Sequence, residues 1–511
     1  MENIKISVRN LVEFILRSGD IDNRHGRAAQ KEAMQEGSRI HRKIQRRMGA
    51  DYQPEVPLKI ELNREKYTLL IEGRADGVIG REGQTIIDEI KGMYLDVNLL
   101  EEPILVHLAQ AKCYAYILAS QQELEEISVQ MTYCNLDTEE IRRFREHYDF
   151  ADLKQWFLSL VQAYAKWAEF QYRAKQERDK SIEELEFPFP YREGQRELAA
   201  GVYRTIYRGK NLFIQAPTGT GKTITTVFPA VKAVGQGLAD KVFYLTARTI
   251  TRTVARETFD LLRAQGYQGR VLTITAREKL CFCEEMDCNP VHCPYAKGHY
   301  DRVNEAVFDM IHQERGITRE LILDYGARYR VCPFEFCLDV SNWVDGIICD
   351  YNYVFDPNVY LKRFFGESVK GAWLFLVDEA HNFGSEQLSQ MLNEEVPYRL
   401  ALSATLERFR DPIGTQLLYG YFGKKCIMYG LAQAIRERKL TPYYYYPKPV
   451  CLTGEALEGY RELSERIGKQ YRPAGSGAME VTELGKRLLI ERSRIVAGAA
   501  GKMKLLKELM E

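Results

Sequence analysis

The stretch Asn211-Leu-Phe-Ile-Gln-Ala-Pro-Thr-Gly-Thr-Gly-Lys-Thr223 decides the fold of this chain. Its opening residues, Asn211–Gln215, form a short apolar run that reads as a buried strand. The next eight, Ala216–Thr223, follow the pattern Gly-x-x-x-x-Gly-Lys-[Ser/Thr] except at the first position, where Ala216 stands in place of glycine. A strand that runs into such a loop and then into a helix presents backbone N–H groups at a helix N-terminus, where phosphate is favoured. Gly219, Thr220 and Gly221 would line that cradle, Lys222 would reach the β- and γ-phosphates of ATP, and Thr223 would hold its Mg²⁺.

Further along the chain, the apolar run Trp373–Val377 delivers Asp378-Glu-Ala-His381, and Tyr398–Leu402 delivers Ser403-Ala-Thr405. Both strands are expected to belong to one ATP-binding lobe. Asp378 would then share the Mg²⁺, and Glu379 would activate the hydrolytic water. Strands alternating with helices make this segment α/β.

Between the loop and the acidic box, six of the eleven cysteines fall within residues 281–337. The N-terminus has no signal-peptide pattern and no apolar run approaches a membrane span, so the chain is expected to be cytoplasmic. Structural disulfides are disfavoured in that compartment, which leaves metal ligation as the reading for the cluster. Cys281, Cys288, Cys293 and Cys332 are the expected ligands, with Cys283 and Cys337 as spares. A structural zinc site also suits four thiolates.

The 71 basic and 71 acidic residues cancel, so no global field draws nucleic acid to the chain and any contact must be local. Arg39-Ile-His-Arg-Lys-Ile-Gln-Arg-Arg47 is one candidate patch; a solvated helix face is its other reading.

Upstream of the loop, residues 28–48 read as a helix and residues 67–91 as a hairpin turning at Gly80-Arg-Glu-Gly83. A turn centred between Arg81 and Glu82 would set Asp76 opposite Ile87. Glu89 and Lys91 would share that face, because side chains alternate along a strand. Two carboxylates and a lysine then converge; a salt-bridged hairpin facing solvent is the plainer alternative.

Three resemblances follow from these residues. His41, Asp76 in Gly73-Arg-Ala-Asp76, Glu89-Ile-Lys91, and Gln110 with Tyr114 resemble the PD-(D/E)XK nucleases, in particular their RecB-like branch, over roughly residues 1–175. The resemblance implies that Asp76, Glu89 and His41 hold Mg²⁺ or Mn²⁺ and that Lys91 steadies developing charge. The loop, the cysteine order and the acidic box resemble the XPD/DinG family of iron–sulfur DNA helicases over roughly residues 186–385. That resemblance implies a [4Fe-4S] cluster on Cys281, Cys288, Cys293 and Cys332. It also implies 5′→3′ movement on DNA, single-stranded or forked. Gln195 sits where many helicases read adenine, and Tyr244-Leu-Thr-Ala-Arg-Thr249 looks like a helicase DNA-backbone motif. From Pro397 onward the chain is similar to restriction-type DEAD/DEAH helicases of superfamily 2, carried by Tyr398–Arg408, Tyr421-Phe-Gly423 and Leu440–Pro447. There Ser403-Ala-Thr405 resembles the motif that links hydrolysis to DNA movement. A chimera or a fragment is one implication.

The expected organisation is α/β throughout. A PD-(D/E)XK nuclease-like domain spans 1–183, and a RecA-like P-loop lobe spans 184–410 with an iron–sulfur insertion at 275–340. A mostly helical extension, 411–511, leads towards a second RecA-like lobe that is absent or supplied by a partner chain. The expected activity is that of an ATP-dependent DNA helicase with a fused metal-dependent nuclease, serving DNA repair or processing. The alternatives are a DNA nuclease with a nonproductive ATPase lobe and an ATP-gated DNA clamp.

Overall fold

A computed structural model describes residues 2–510 apart from 25–27, 82, 193, 218–219, 247–248, 357–360, 362–363, 365–370, 393–395, 397, 406, 409–410, 424, 429, 437–440, 442–445 and 474–478. Gly219, Arg248 and much of Leu440–Pro447 lie outside the described residues, as do the side chains at the start of the helix expected over 28–48. The chain folds as two compact units, residues 1–440 and 441–511. Among the described residues no helix is long and apolar enough to cross a membrane.

The larger unit contains two sheets. The first has six strands: β1 (Glu2–Ser7), β2 (Tyr52–Asn63), β3 (Tyr67–Arg81), β4 (Gln84–Met93), β5 (Glu126–Asn135) and β6 (Ile141–Asp149). Their order is β1-β3-β4-β5-β6, with β2 also paired to β3. Helices α1 (Val8–Leu16), α2 (Ala28–Arg47), α3 (Leu105–Gln122) and α4 (Phe150–Glu183) accompany it. The β3–β4 register corrects the expected hairpin: Arg81 pairs with Gln84 and Gly77 with Asp88, so Asp76 comes opposite Glu89 rather than Ile87. The turn centres one residue later than expected, between residues 82 and 83, which shifts the pairing by two. A shift of two keeps every side chain on its own face, so Asp76, Glu89 and Lys91 still converge.

The second sheet is wholly parallel and has eight strands: β7 (Leu212–Gln215), β8 (Lys241–Thr246), β9 (Val271–Thr273), β10 (Gly316–Ile317), β11 (Gly346–Asp350), β12 (Trp373–Val377), β13 (Arg399–Ser403) and β14 (Lys425–Met428). The order is β10-β9-β11-β8-β12-β13-β7-β14. Nearly every residue of β8, β12 and β13 is buried, as a parallel sheet covered on both faces requires. Helices α5 (Gln195–Tyr207), α6 (Lys222–Gly235) and α7 (Thr249–Ala264) cover it. Helices α8 (His299–Gln313), α9 (Arg319–Tyr329) and α10 (Pro333–Val340) belong to the segment that carries the cysteines.

The two sheets share one core. The 34-residue α4, about 51 Å long at 1.5 Å per residue, is the common spine. Trp167 on α4 is fully buried among Phe14 of α1, Phe308 of α8 and Trp343, with ring centroids 4.7, 4.9 and 4.6 Å away. Near its end, Arg178 pairs with Asp345 at 2.8 Å, and Ile182 and Leu185 join the core of the parallel sheet. The proline-rich segment after Glu184 therefore follows a helix already built into the second sheet's core.

In residues 441–511, a two-stranded antiparallel ribbon (Tyr471–Pro473 with Met479–Val481) accompanies α11 (Gly454–Gly468), α12 (Glu483–Ala497) and α13 (Ala500–Met510). No parallel sheet occurs among the described residues of this unit.

Candidate functional site

The phosphate loop leaves β7 and enters α6, and the acidic box leaves β12, two strands away through β13. Both therefore open at the carboxyl edge of one sheet, where α/β folds place ligands. Gly221 caps α6 with φ +80°, a backbone conformation that favours glycine. Thr220 closes the loop by donating to the Pro217 carbonyl at 2.7 Å. Gln195 accepts from the Arg192 N–H at 3.0 Å and donates to the Thr220 carbonyl at 3.0 Å, so here it braces the loop.

Lys222 carries the decisive observation. Its Nζ is buried and has no hydrogen-bond partner. Burial lowers its pKa, and the charges of Glu379 and Asp378 act against that. Burial likewise raises the Asp378 carboxyl, with Lys222 opposing and Glu379 adding to the rise. Tyr244, at the end of β8, bonds both Asp378 and Thr223 and so ties the acidic box to the loop.

Glu379 adopts φ +51°, a strained conformation for a side-chain-bearing residue. Its Oε2 lies 3.3 Å from His381 Nδ1, which in turn lies 2.9 Å from Ser403 Oγ. Thr405 N–H donates to that same Oγ at 3.2 Å. The acidic box and the Ser-Ala-Thr segment thus form one hydrogen-bonded chain. Arg408, which sequence reasoning passed over, extends it by donating to the His381 carbonyl and pairing with Asp411 at 2.6 Å.

The first sheet holds a second constellation. Past Gly77, where the β3–β4 ladder ends, the Asp76 carboxylate accepts the Ile90 N–H at 2.8 Å. Its other oxygen lies 3.3 Å from His41 Nδ1 on α2. Burial pushes the His41 pKa down, but the hydrogen bond and charge of Asp76 carry it above its ordinary value. Glu89 is 1 % exposed; burial pushes its carboxyl up to about 7, against the pull of Lys91. Lys91 Nζ donates to Glu89 Oε1 at 2.9 Å and to Gln110 Oε1 on α3 at 3.1 Å. Glu89 Oε2 is buried without a partner. Tyr114 bonds Gln110 and the backbone at Arg74. It packs so close to Gly73 that a Cβ there would sit 2.7 Å from its hydroxyl. All six expected residues of this site are therefore brought together.

Sequence reasoning missed Asp88 beside them. It is fully buried and takes hydrogen bonds from Thr132 at 2.6 Å, Gln130 at 2.9 Å and Tyr52 at 3.3 Å. Three neutral donors around a carboxylate give a satisfied buried network.

The cysteines fall into two neighbouring groups. Cys283 Sγ lies 3.8 Å from Cys293 Sγ and is also bonded to Cys281. The Arg277 guanidinium donates to Cys288 and feels the charge of Cys332. Cys337 is fully buried on α10, near Cys349. Of the two spares, Cys283 is thus the one placed with the expected ligands. The strap before α2 lies against this segment: Asn23 N–H donates to the Cys288 carbonyl and Ile21 N–H to the Ala296 carbonyl, each at 3.0 Å. Among the described residues no three His, Cys, Asp or Glu side chains sit in a metal-holding arrangement.

Comparison with known proteins places the parallel sheet. A DEAD/DEAH box helicase family model matches residues 196–279, and the DEAD_2 model matches residues 265–396. Residues 196–396 are thus matched by DEAD/DEAH-type helicase models, and the curated relatives of this region are named as helicases. Regulator of telomere elongation helicase 1 of Homo sapiens is 23% identical over 250 residues, which is 39% of this chain and 20% of that protein. A probable ATP-dependent helicase of Methanocaldococcus jannaschii is 23% identical over 217 residues, 41% of this chain and 32% of that one. The chain thus spans a fifth to a third of the curated relatives it matches. Among solved structures, an XPD helicase aligns at 13% identity and TM-score 0.27, over 60% of this chain and 46% of that one. A Sulfolobus solfataricus SWI2/SNF2 ATPase core in complex with dsDNA aligns at 13% identity and TM-score 0.27, over 64% and 65%. Scores this low carry no argument.

Proposed function

We propose that this chain is an ATP-dependent DNA helicase with a cysteine-bound [4Fe-4S] cluster and a fused metal-dependent DNA nuclease. The motor part rests above all on Lys222: a buried ammonium without a partner, facing Asp378 and Glu379, has the charge and position to take a β,γ-phosphate group. Thr223 and Asp378, joined through Tyr244, would hold the Mg²⁺ of ATP. Glu379 would orient the attacking water, and the His381–Ser403–Thr405 chain gives hydrolysis a route to the next strand.

The nuclease part is supported by Glu89 Oε2, an orphaned buried oxygen that fits a missing cation. Asp76, Glu89 and His41 would hold Mg²⁺ or Mn²⁺, whose charge would polarise a phosphodiester and acidify water. Lys91, steered by Gln110, would place positive charge beside the scissile phosphate. For the cluster, Cys281, Cys288, Cys293 and Cys332 are the proposed ligands, with the Arg277 guanidinium donating to Cys288. The bound cluster would cross-link the insertion.

The test is ATP hydrolysis by anaerobically purified protein, with and without single-stranded DNA, beside Lys222→Ala. DNA-stimulated turnover that disappears in the variant is expected; turnover equal in both proteins would sink the motor reading. A second reading, a nuclease with a nonproductive ATP lobe, is favoured by the self-contained geometry of the Asp76 site. Metal-dependent cleavage that ignores both ATP and Lys222→Ala would select it.

A further inference from the structure

Helix α2 has two chemically opposite faces. Ile40 and Ile44 are buried against β4, His41 reaches Asp76, and Gln45 donates to the Asp76 carbonyl at 2.9 Å. Arg39, Arg42, Lys43, Arg46 and Arg47 line an open concavity of about 500 Å³ on the other side. Their spacing of three and four residues puts all five on one stripe of the helix. Arg39 pairs with Glu36 at 2.7 Å and shares Glu139 with Lys43, whereas Arg42, Arg46 and Arg47 make no salt bridge among the described residues. Two arginines in a last turn would answer the helix dipole. That leaves Arg42, about a turn earlier, with no carboxylate partner among the described residues.

We propose that this stripe is a track for the phosphate backbone of a nucleic-acid strand, leading to the Asp76–Glu89–Lys91 site under the same helix. The inference deepens the nuclease reading and rests on it for direction, although the surface itself stands on its own charges. Eight residue steps of helix cover about 12 Å, enough to meet about three phosphates at 3.4 Å of axial rise per strand. Fork-shaped guanidinium groups suit phosphate oxygens. The stripe offers no apolar side chain, since both isoleucines point inward. An amphipathic membrane helix would need an exposed apolar face.

The experiment is anisotropy of a fluorescent 20-nucleotide single strand on the full chain in EDTA, where cleavage is silent, from 50 to 200 mM salt. For a single strand, each phosphate contact contributes about 0.7 to the salt slope. Arg42→Ala/Arg46→Ala/Arg47→Ala should therefore lower the slope by about 2, making the fall in affinity over this range roughly 20-fold shallower. Glu139→Gln, which releases Lys43 and leaves Arg39 on Glu36, should steepen it. Lys502→Ala/Lys504→Ala/Lys507→Ala, an equal charge loss on exposed positions of α13, should leave it unchanged. A wild-type slope in the α2 variant overturns the proposal, as does an equal drop in both triple variants. Loss of binding to phosphatidylserine vesicles without change in the DNA slope would assign the stripe to a membrane and overturn it too. A lowered slope in protein that never cleaves DNA with added Mg²⁺ or Mn²⁺ leaves the track standing and removes the nuclease reading.

Discussion

Lys91 lies beside the Glu89 carboxylate and Lys222 beside those of Asp378 and Glu379, yet the two sheets hold them in opposite states. Lys91 is tied down by Glu89 and Gln110, and the atom left without a partner is an oxygen, Glu89 Oε2. Lys222 is tied to nothing, and the atom left over is its own nitrogen. An unmet buried oxygen calls for a cation and an unmet buried ammonium calls for an anion, because either is costly without its counterpart. The same residue types thus leave an oxygen unmet in one sheet and an ammonium unmet in the other.

The contrast breaks most visibly at Lys222. Lys222→Ala should cut ATP hydrolysis by roughly 10²–10³-fold, as loss of a preorganised charge does, while leaving metal-dependent cleavage intact. The reverse pattern should follow from Asp76→Asn: cleavage lost, hydrolysis kept, and Mn²⁺ binding by calorimetry weakened. If either variant lowers both activities equally, the two sites are not chemically separate.

A third variant tests whether the sheets are mechanically separate. Arg178, 7 % exposed, pairs with Asp345 and Asp179. Arg178→Ala leaves the part-buried Asp345 without its cation, with the Arg270 N–H still donating to it, and should lower the urea midpoint. Two resolved transitions in the parent protein would contradict a shared spine.

A further lysine sharpens the comparison by carrying neither kind of ligand. Lys241 donates to the Ser341 carbonyl at 2.6 Å and lies over the Phe364 ring, and burial pulls its pKa from 10.5 to about 7. Between those values the unfolded chain binds more protons, so stability should rise with pH from about 7 to 10.5. Below 7 both states are charged and this contribution is flat at its least favourable level. Lys241→Met should remove the rise in melting temperature between pH 7 and pH 9.5. Smallest of all, Gln110→Leu should lower cleavage about tenfold, the worth of one hydrogen bond of about 1.4 kcal/mol.

Much of both sites was legible in the chain because local rules carry it. The loop pattern at Ala216–Thr223 fixes strand, turn and helix together. The hairpin survived a wrong register because the error was even, and only an odd slip would have turned Asp76 away from Glu89. What stayed hidden was set by distant partners. Arg178 and Asp345 gave no signal of pairing, and neither did Asn23 and the Cys288 carbonyl. Cys283 differed from Cys337 only once the turns at 281–293 brought it beside Cys293. Asp88 reads as one more strand charge until Tyr52, Gln130 and Thr132 surround it.

The aromatic knot around Trp167 imposes an order on biosynthesis. Phe14 and Trp167 leave the ribosome well before Phe308 and Trp343, and Arg17 waits for Asn304 and Asp339. At 5–20 residues per second, the roughly 160 residues after α4 take about 8–32 s to make. Through that interval α1 and α4 carry an uncovered aromatic patch, which makes this stretch of the nascent chain the natural client of a chaperone.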